Sequence, residues 1–172
     1  MDKSVFDRHH IQFDTEAKTQ KEAFHVIAHA AYEAGYVKDE NAYFEGMCER
    51  EKEATTGFQD GIAIPHSKHA TCIKLGIFLV KFEHPIAWNA LDGEPVQVAL
   101  GLTIPEDGGD VHLRILSKLA RKMISEEFRT ALKTGTDVDA LYEVLSLIHI
   151  YTDIVAYGIV FCKKSCLIVK AE

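Results

Sequence analysis

The sequence predicts an α/β layer fold built on a mixed sheet, and three observations carry that expectation. Amphipathic helical stretches interleave with short β-prone apolar runs, one of those runs alternates at the period of a strand, and Gly, Pro and Asp punctuate nearly every junction. The first dozen residues read as a lead-in. Thr15 to Gly35 predicts a helix, with Thr15 or Thr19 as cap, Ala23, Phe24, Ile27, Ala28, Ala31 and Tyr32 on one stripe, and Gly35 ending it. Asp39 caps a second helix running to about Lys52, with Ala42, Tyr43, Met47 and Arg50 along it. A polar, glycine-containing stretch from Thr55 to Gly61 follows, and then a small strand, Ile62 to Ile64, stopped by Pro65.

Two longer strands are expected at Lys74–Glu83 and Pro95–Ile104, the second with Val96, Val98, Leu100 and Leu102 alternating. Asn89 to Gly93 is a turn or loop, and Pro105 to Gly109 is a break. Asp110 opens a helix through about Ile124, with Val111, Ile115, Leu116, Leu119 and Met123 on one face. A short helix at Glu126–Leu132 and a last one capped by Asp137 and running to about Leu147 complete the pattern. The apolar runs after Leu147, around Lys163-Lys164, read as a hairpin or an extension.

Composition narrows the function. The chain of 172 residues suits one domain with a sizeable core, and a net charge of -7 disfavours nucleic acid and anionic membrane surfaces as partners. Cys48, Cys72, Cys162 and Cys166 fit neither a zinc pattern nor a CxxC redox motif, and read as reduced cytosolic thiols. Without a signal peptide or a membrane-length apolar run, a cytoplasmic location is expected. His25 and His29 stand four apart on the first helix, a metal-capable spacing, but without an HExxH pattern they read as a packed or surface pair. No metal or other cofactor is expected.

The chemistry concentrates in Gly61-Ile62-Ala63-Ile64-Pro65-His66-Ser67-Lys68. Pro65 fixes its own backbone and keeps Ile64 extended, so His66 is delivered at a strand exit on a stiff approach. Ser67 offers a hydroxyl and backbone donors, and Lys68 a cation. His112 falls in the first turn of the helix opened by Asp110, where the dipole favours a neutral ring and helix amides bind anions. Arg50, at the end of the second helix, supplies a fork suited to the equatorial oxygens of a phosphoryl group. Read singly, each has a plain alternative: a loop histidine, a histidine on a packed helix edge, a solvated arginine in the run Glu49-Arg50-Glu51-Lys52-Glu53.

Together these residues resemble a known family. Arg50-Glu51-Lys52-Glu53-Ala54-x-Thr56-Gly57-x-x-Asp60-Gly61-Ile62-Ala63-Ile64-Pro65-His66 resembles the signature of the fructose/mannitol-class IIA components of the bacterial phosphoenolpyruvate-dependent sugar phosphotransferase system. His112-Leu113-x-Ile115-Leu116-Ser117-Lys118-Leu119-Ala120 resembles their second histidine helix. The resemblance runs over about residues 3 to 147, so one domain over 1–150 is expected, with 151–172 an atypical tail. It implies a single mixed sheet flanked by helices on both faces, and phosphorylation of His66 supported by His112 and Arg50. It further implies the small phosphocarrier HPr as donor and a cysteine of a IIB component as acceptor. A regulatory module of the same fold, whose phosphorylated and unphosphorylated forms bind different targets, would keep the same residues.

Overall fold

The computed structural model describes residues 5–107 and 111–146. Its first strand, β1 (Ile11–Asp14), lies where the sequence suggested only a lead-in. Four residues are too few to show a period, and it becomes a strand by pairing in parallel with a long neighbour. The first helix, α1 (Gln20–Glu33), starts later than Thr15. Asp14 Oδ1 accepts from the backbone N–H groups of Glu16 and Ala17 and holds a turn there. Thr19 is the cap. Its hydroxyl accepts from Glu22 N–H while the Glu22 carboxylate accepts from Thr19 N–H, a reciprocal arrangement worth about 1 kcal/mol. α2 (Glu40–Glu53) is capped by Asp39 as expected.

β2 (Ile62–Ala63), β3 (His66–Lys68), β4 (Gly76–Ile86) and β5 (Val96–Ile104) follow, then α3 (Val111–Met123) and α4 (Glu126–Thr134). A further helix occupies 138–146, with Asp137 Oδ1 accepting from Ala140 N–H at its start. The chain after 146, including the expected hairpin, lies outside the described residues.

The sheet is single and mixed, in the order β1-β4-β5-β2, with β3 also on β5. β1 runs parallel to β4, β4 antiparallel to β5, and both β2 and β3 parallel to β5. The inner strands are buried on both faces and read as nearly continuous apolar runs, as a sheet covered on both sides requires. Phe78 and Val80 point to the side covered by α1 and α2, where they meet Phe24, Ile27, Ala31, Tyr43 and Met47. Ile77 and Leu79 point to the other side, with Leu119, Met123, Leu132 and Leu141 from the later helices. Each such side chain fully removed from water contributes about 1.5–3 kcal/mol, so the two cores hold the sheet as a rigid plate between helical layers. Tyr32, expected on the buried stripe of α1, is 45% exposed.

Candidate functional site

His66 does not sit at a strand exit, as the sequence suggested. Ile62 lies opposite Val98, Ala63 opposite Ala99 and His66 opposite Leu102, so the register is unchanged across the gap. β2 and β3 are two pieces of one strand interrupted at Ile64-Pro65. Pro65 has no N–H to give, and Ile64 turns its N–H away from β5 onto the Thr56 carbonyl, at 2.9 Å. The Pro65 carbonyl still accepts from Leu102 N–H at 2.9 Å. His66 is therefore the first residue of the resumed strand, held by the sheet on one side and by the interruption on the other. Opposite it, the buried Tyr43 hydroxyl donates to the Leu102 carbonyl at 2.8 Å and pins α2 to the same strand.

The ring of His66 is half-buried, and both nitrogens have partners. Nδ1 lies 2.8 Å from the Ile64 carbonyl oxygen, and Nε2 accepts from Arg50 Nε–H at 3.1 Å. A carbonyl only accepts and a guanidinium only donates, so the two contacts select one tautomer: Nδ1 carries the proton and Nε2 keeps its lone pair. Burial lowers the ring's pKa below the ordinary histidine value. The Ile64 carbonyl opposes that shift, the adjacent Arg50 charge adds to it, and Glu51 and Glu53 oppose it more weakly. The result is a neutral imidazole with a directed lone pair on Nε2.

Arg50 is thus not the solvated arginine of a charge run. It is half-buried, its Nη1 donates to the Ala54 carbonyl at 2.9 Å, and its Nε reaches His66. His112 lies in the first turn of α3, as expected. Its side chain and the expected cap, Asp110, fall outside the described residues. Ser67 departs from expectation: it is 3% exposed and turned against Gly46 of α2, so its hydroxyl does not line the open side of His66. Successive strand residues point oppositely, which is why His66 and Lys68 share an orientation that Ser67 lacks.

Several residues that hold the site gave little signal in sequence. A Cβ on Gly46 would lie 2.4 Å from Ser67 Oγ, so only glycine lets α2 pass this close to β3. Asp60 and Gly61 have φ of 55° and 76°, and Ile62 N–H donates to the Gln59 carbonyl, making a primed hairpin turn for which an Asp-Gly pair is the sequence cue. Arg129, 9% exposed, pairs with Asp60 while donating to the carbonyls of Met123 and Ile124, and so ties this turn to the end of α3. No local pattern announced that long-range pair. His25 stacks on Phe44 at 3.7 Å, and His29 Nδ1 lies 3.2 Å from Glu40 Oε2, so each ring of the i, i+4 pair has its own partner on α2.

Fold and site define a class: an α/β domain whose mixed sheet presents, at its edge, a neutral imidazole nitrogen contacted by a guanidinium. More specifically, the chain belongs to the family described as "Phosphoenolpyruvate-dependent sugar phosphotransferase system, EIIA 2", whose model matches residues 4–147. It is 32% identical over 136 residues to the PTS system fructose-specific EIIA component of Haloferax volcanii, covering 79% of this chain and 88% of that one. The crystal structure of nitrogen regulatory protein IIA-Ntr from Neisseria meningitidis matches with a TM-score of 0.75 and 30% identity, over 82% of this chain and 96% of that one. The solved complex of enzyme IIAMTL and phosphorylated enzyme IIBMTL from Escherichia coli has a TM-score of 0.69 at 21% identity, covering 82% and 96%, and shares the fold. Against the fructose-specific EIIABC component of Bacillus subtilis, 29% identical over 142 residues, this chain spans 22% of the relative's length. Among the described residues no helix is long and apolar enough to cross a membrane.

Proposed function

We propose that the protein is a phosphocarrier that accepts a phosphoryl group on His66 Nε2 from phospho-HPr and passes it to a cysteine of a IIB component, in service of fructose- or polyol-type sugar uptake. The observation that carries this reading is the pair of ring contacts, which leaves Nε2 with a lone pair and puts a guanidinium beside it. The Nε2 lone pair attacks phosphorus in line as the donor's N–P bond breaks and its electrons return to the donor imidazole. In the second step the IIB thiolate attacks, an S–P bond forms, and His66 recovers its lone pair. The transition state is loose, so placement and positive charge do most of the work. Arg50 neutralises charge on the equatorial oxygens. His112, at the positive end of α3, donates a ring N–H to the phosphoryl group. No step calls for a metal or a cofactor.

Phe58 and Ile64, both half-buried against the second core, are the apolar contacts proposed for two visiting partners in turn, in interfaces of the small, transient kind. The IIA–IIB complex of the mannitol relative supports the acceptor class. A second reading, a regulatory module whose phosphorylation state selects protein targets, draws on the likeness to nitrogen regulatory proteins.

The test is incubation with phosphoenolpyruvate, enzyme I and HPr, followed by mass spectrometry for an acid-labile phosphate. One phosphate is expected on the wild type and none on His66→Ala; continued labelling of that variant overturns the assignment. Onward transfer to a IIB cysteine separates the transport reading from the regulatory one. His112→Ala is expected to label more slowly, and an unchanged rate removes its supporting role.

A further inference from the structure

Arg50 and Glu51 are neighbours in the last turn of α2, and hydrogen bonds lead from them to the two nitrogens of the same ring. Arg50 reaches His66 Nε2 directly. From Glu51 the path is longer. Its Oε2 accepts from both the backbone N–H of Thr56, at 2.9 Å, and the Thr56 hydroxyl. The Thr56 carbonyl accepts from Ile64 N–H at 2.9 Å, and the Ile64 carbonyl, 2.8 Å away, accepts from His66 Nδ1–H. Trp88, 2% exposed, donates its indole N–H to Thr56 Oγ1 at 3.2 Å and closes the hydroxyl's other side. Thr56 is itself buried, so this chain of contacts runs through the interior rather than across a solvated surface.

Helix stability does not account for Glu51. A carboxylate in the last turn of a helix faces the negative end of the dipole and is unfavourable there. Its two-donor grip on Thr56, five residues on, is a specific contact, and the hydrogen bonds that continue from Thr56 end at the carbonyl that sets the ring's tautomer.

We propose that Glu51 is a positioning residue for phosphoryl transfer: by anchoring Thr56, and through it Ile64, it holds the carbonyl that keeps the proton on His66 Nδ1 and the lone pair on Nε2. The proposal rests on the phosphocarrier reading of His66. The role is one of placement, so the conservative amide replaces the carboxylate: a glutamine Oε1 accepts the same two donors. Alanine does not, and without the anchor the interrupted strand slackens and the ring samples its other tautomer, with Nε2 protonated and unable to attack.

The experiment combines two readouts on the full chain. Ring-¹⁵N-labelled histidine NMR of the unphosphorylated protein reads the tautomer of His66, and phosphoryl uptake from phospho-HPr reads the rate. Glu51→Ala is expected to give a mixed tautomer and a rate lower by about tenfold to a hundredfold, the range for a small misplacement of a reacting group. Glu51→Gln is expected to match the wild type in both. Thr56→Val, which keeps the backbone N–H but removes the hydroxyl, is expected to fall between them, and it decides the matter if Glu51→Ala does not fold. A wild-type tautomer and rate in Glu51→Ala, or in Thr56→Val where that variant decides, overturn the proposal. So does an equal loss of rate in the alanine and glutamine variants with the tautomer unchanged, because charge rather than placement would then be the cause. If the wild type takes up no acid-labile phosphate yet Glu51→Ala still shifts the tautomer, it is the phosphocarrier reading that fails, and the positioning of the ring stands.

Discussion

Replacing Gly46 by alanine tests whether the approach of α2 to β3 sets the geometry of the site. The new Cβ would lie 2.4 Å from Ser67 Oγ, so the two elements must separate by about 1 Å to restore ordinary contact at 3.4 Å. Arg50 stands four residues on from Gly46, one turn along the same helix, and rides with it. Its Nε is 3.1 Å from His66 Nε2, and the same displacement carries that contact to about 4 Å, beyond hydrogen-bond range. Overpacking of this size costs about 1–3 kcal/mol, and alanine returns about 1 kcal/mol of helix propensity, so the protein remains folded. Transfer should suffer more than stability, by about tenfold to a hundredfold. The assay is the rate of phosphoryl uptake from phospho-HPr beside a urea unfolding curve. Adding Ser67→Ala removes the clashing oxygen and leaves Ser67 Cβ, at 3.3 Å, as the nearest atom, a contact that closes with a shift of tenths of an ångström. The double variant should therefore recover the rate. A single Gly46→Ala variant that transfers at the wild-type rate refutes the argument, because Ser67 Oγ would then have swung aside without moving the helix.

Arg50→Lys keeps the charge but loses the planar fork that reaches His66 and the Ala54 carbonyl together, so uptake should fall about tenfold or more while unfolding free energy changes by less than about 1 kcal/mol. Burial lowers the pKa of His10 and of His66 in the folded state, so the unfolded chain binds more protons as pH drops below the ordinary value of 6.5. Stability should therefore be complete above that pH and decline below it, by at most about 1.4 kcal/mol per pH unit for each group. His10→Phe should flatten the slope between pH 7 and 5.5 in urea titrations, and an unchanged slope would exclude that ring as a source. The Lys81 ammonium donates to the carbonyls of Lys133 and Gly135 at the end of α4, so Lys81→Met should cost about 1–3 kcal/mol in the same titrations, and no loss would show that water replaces it.

What the sequence disclosed and what it hid follow a physical line. Long segments spoke for themselves: α1, β4, β5 and α4 appear within a few residues of their expected bounds because their own hydrophobic pattern selects them, and α2, which is mostly polar, because Asp39 caps its start. β1 and β3 stayed hidden, since four and three residues become strands only by pairing with distant neighbours. In the site, His66 and Arg50 were visible as residue types in an ordered motif, and the fold brings them together. The burial of Ser67 is not legible in the sequence, because strand alternation begins again at His66, which a single proline stop does not reveal. Arg129 and Tyr43 were invisible as site supports. Their partners, Asp60 and the Leu102 carbonyl, lie 69 and 59 residues away.

On the proposed reading, a phosphoryl group arriving at His66 must displace Arg50 from the ring. The lone pair on Nε2 that receives Arg50 Nε–H is the same lone pair that would form the N–P bond, so hydrogen bond and phosphorylation exclude each other at that atom. The guanidinium must let go of the ring, and its nearest new acceptors are the phosphoryl oxygens. The exchange replaces a bond to a neutral nitrogen with charge-assisted bonds to an anion, which are roughly twice as strong. Nδ1 need not move, because it keeps its proton and goes on donating it to the Ile64 carbonyl. The ring thus remains fixed while its cationic partner swings, and return of the phosphoryl group to an acceptor is opposed by whatever the arginine gains. The Ala54 carbonyl, which holds Nη1 in the resting state, keeps the guanidinium beside the ring, so on that reading the hydrogen bond to Nε2 re-forms once the phosphoryl group departs.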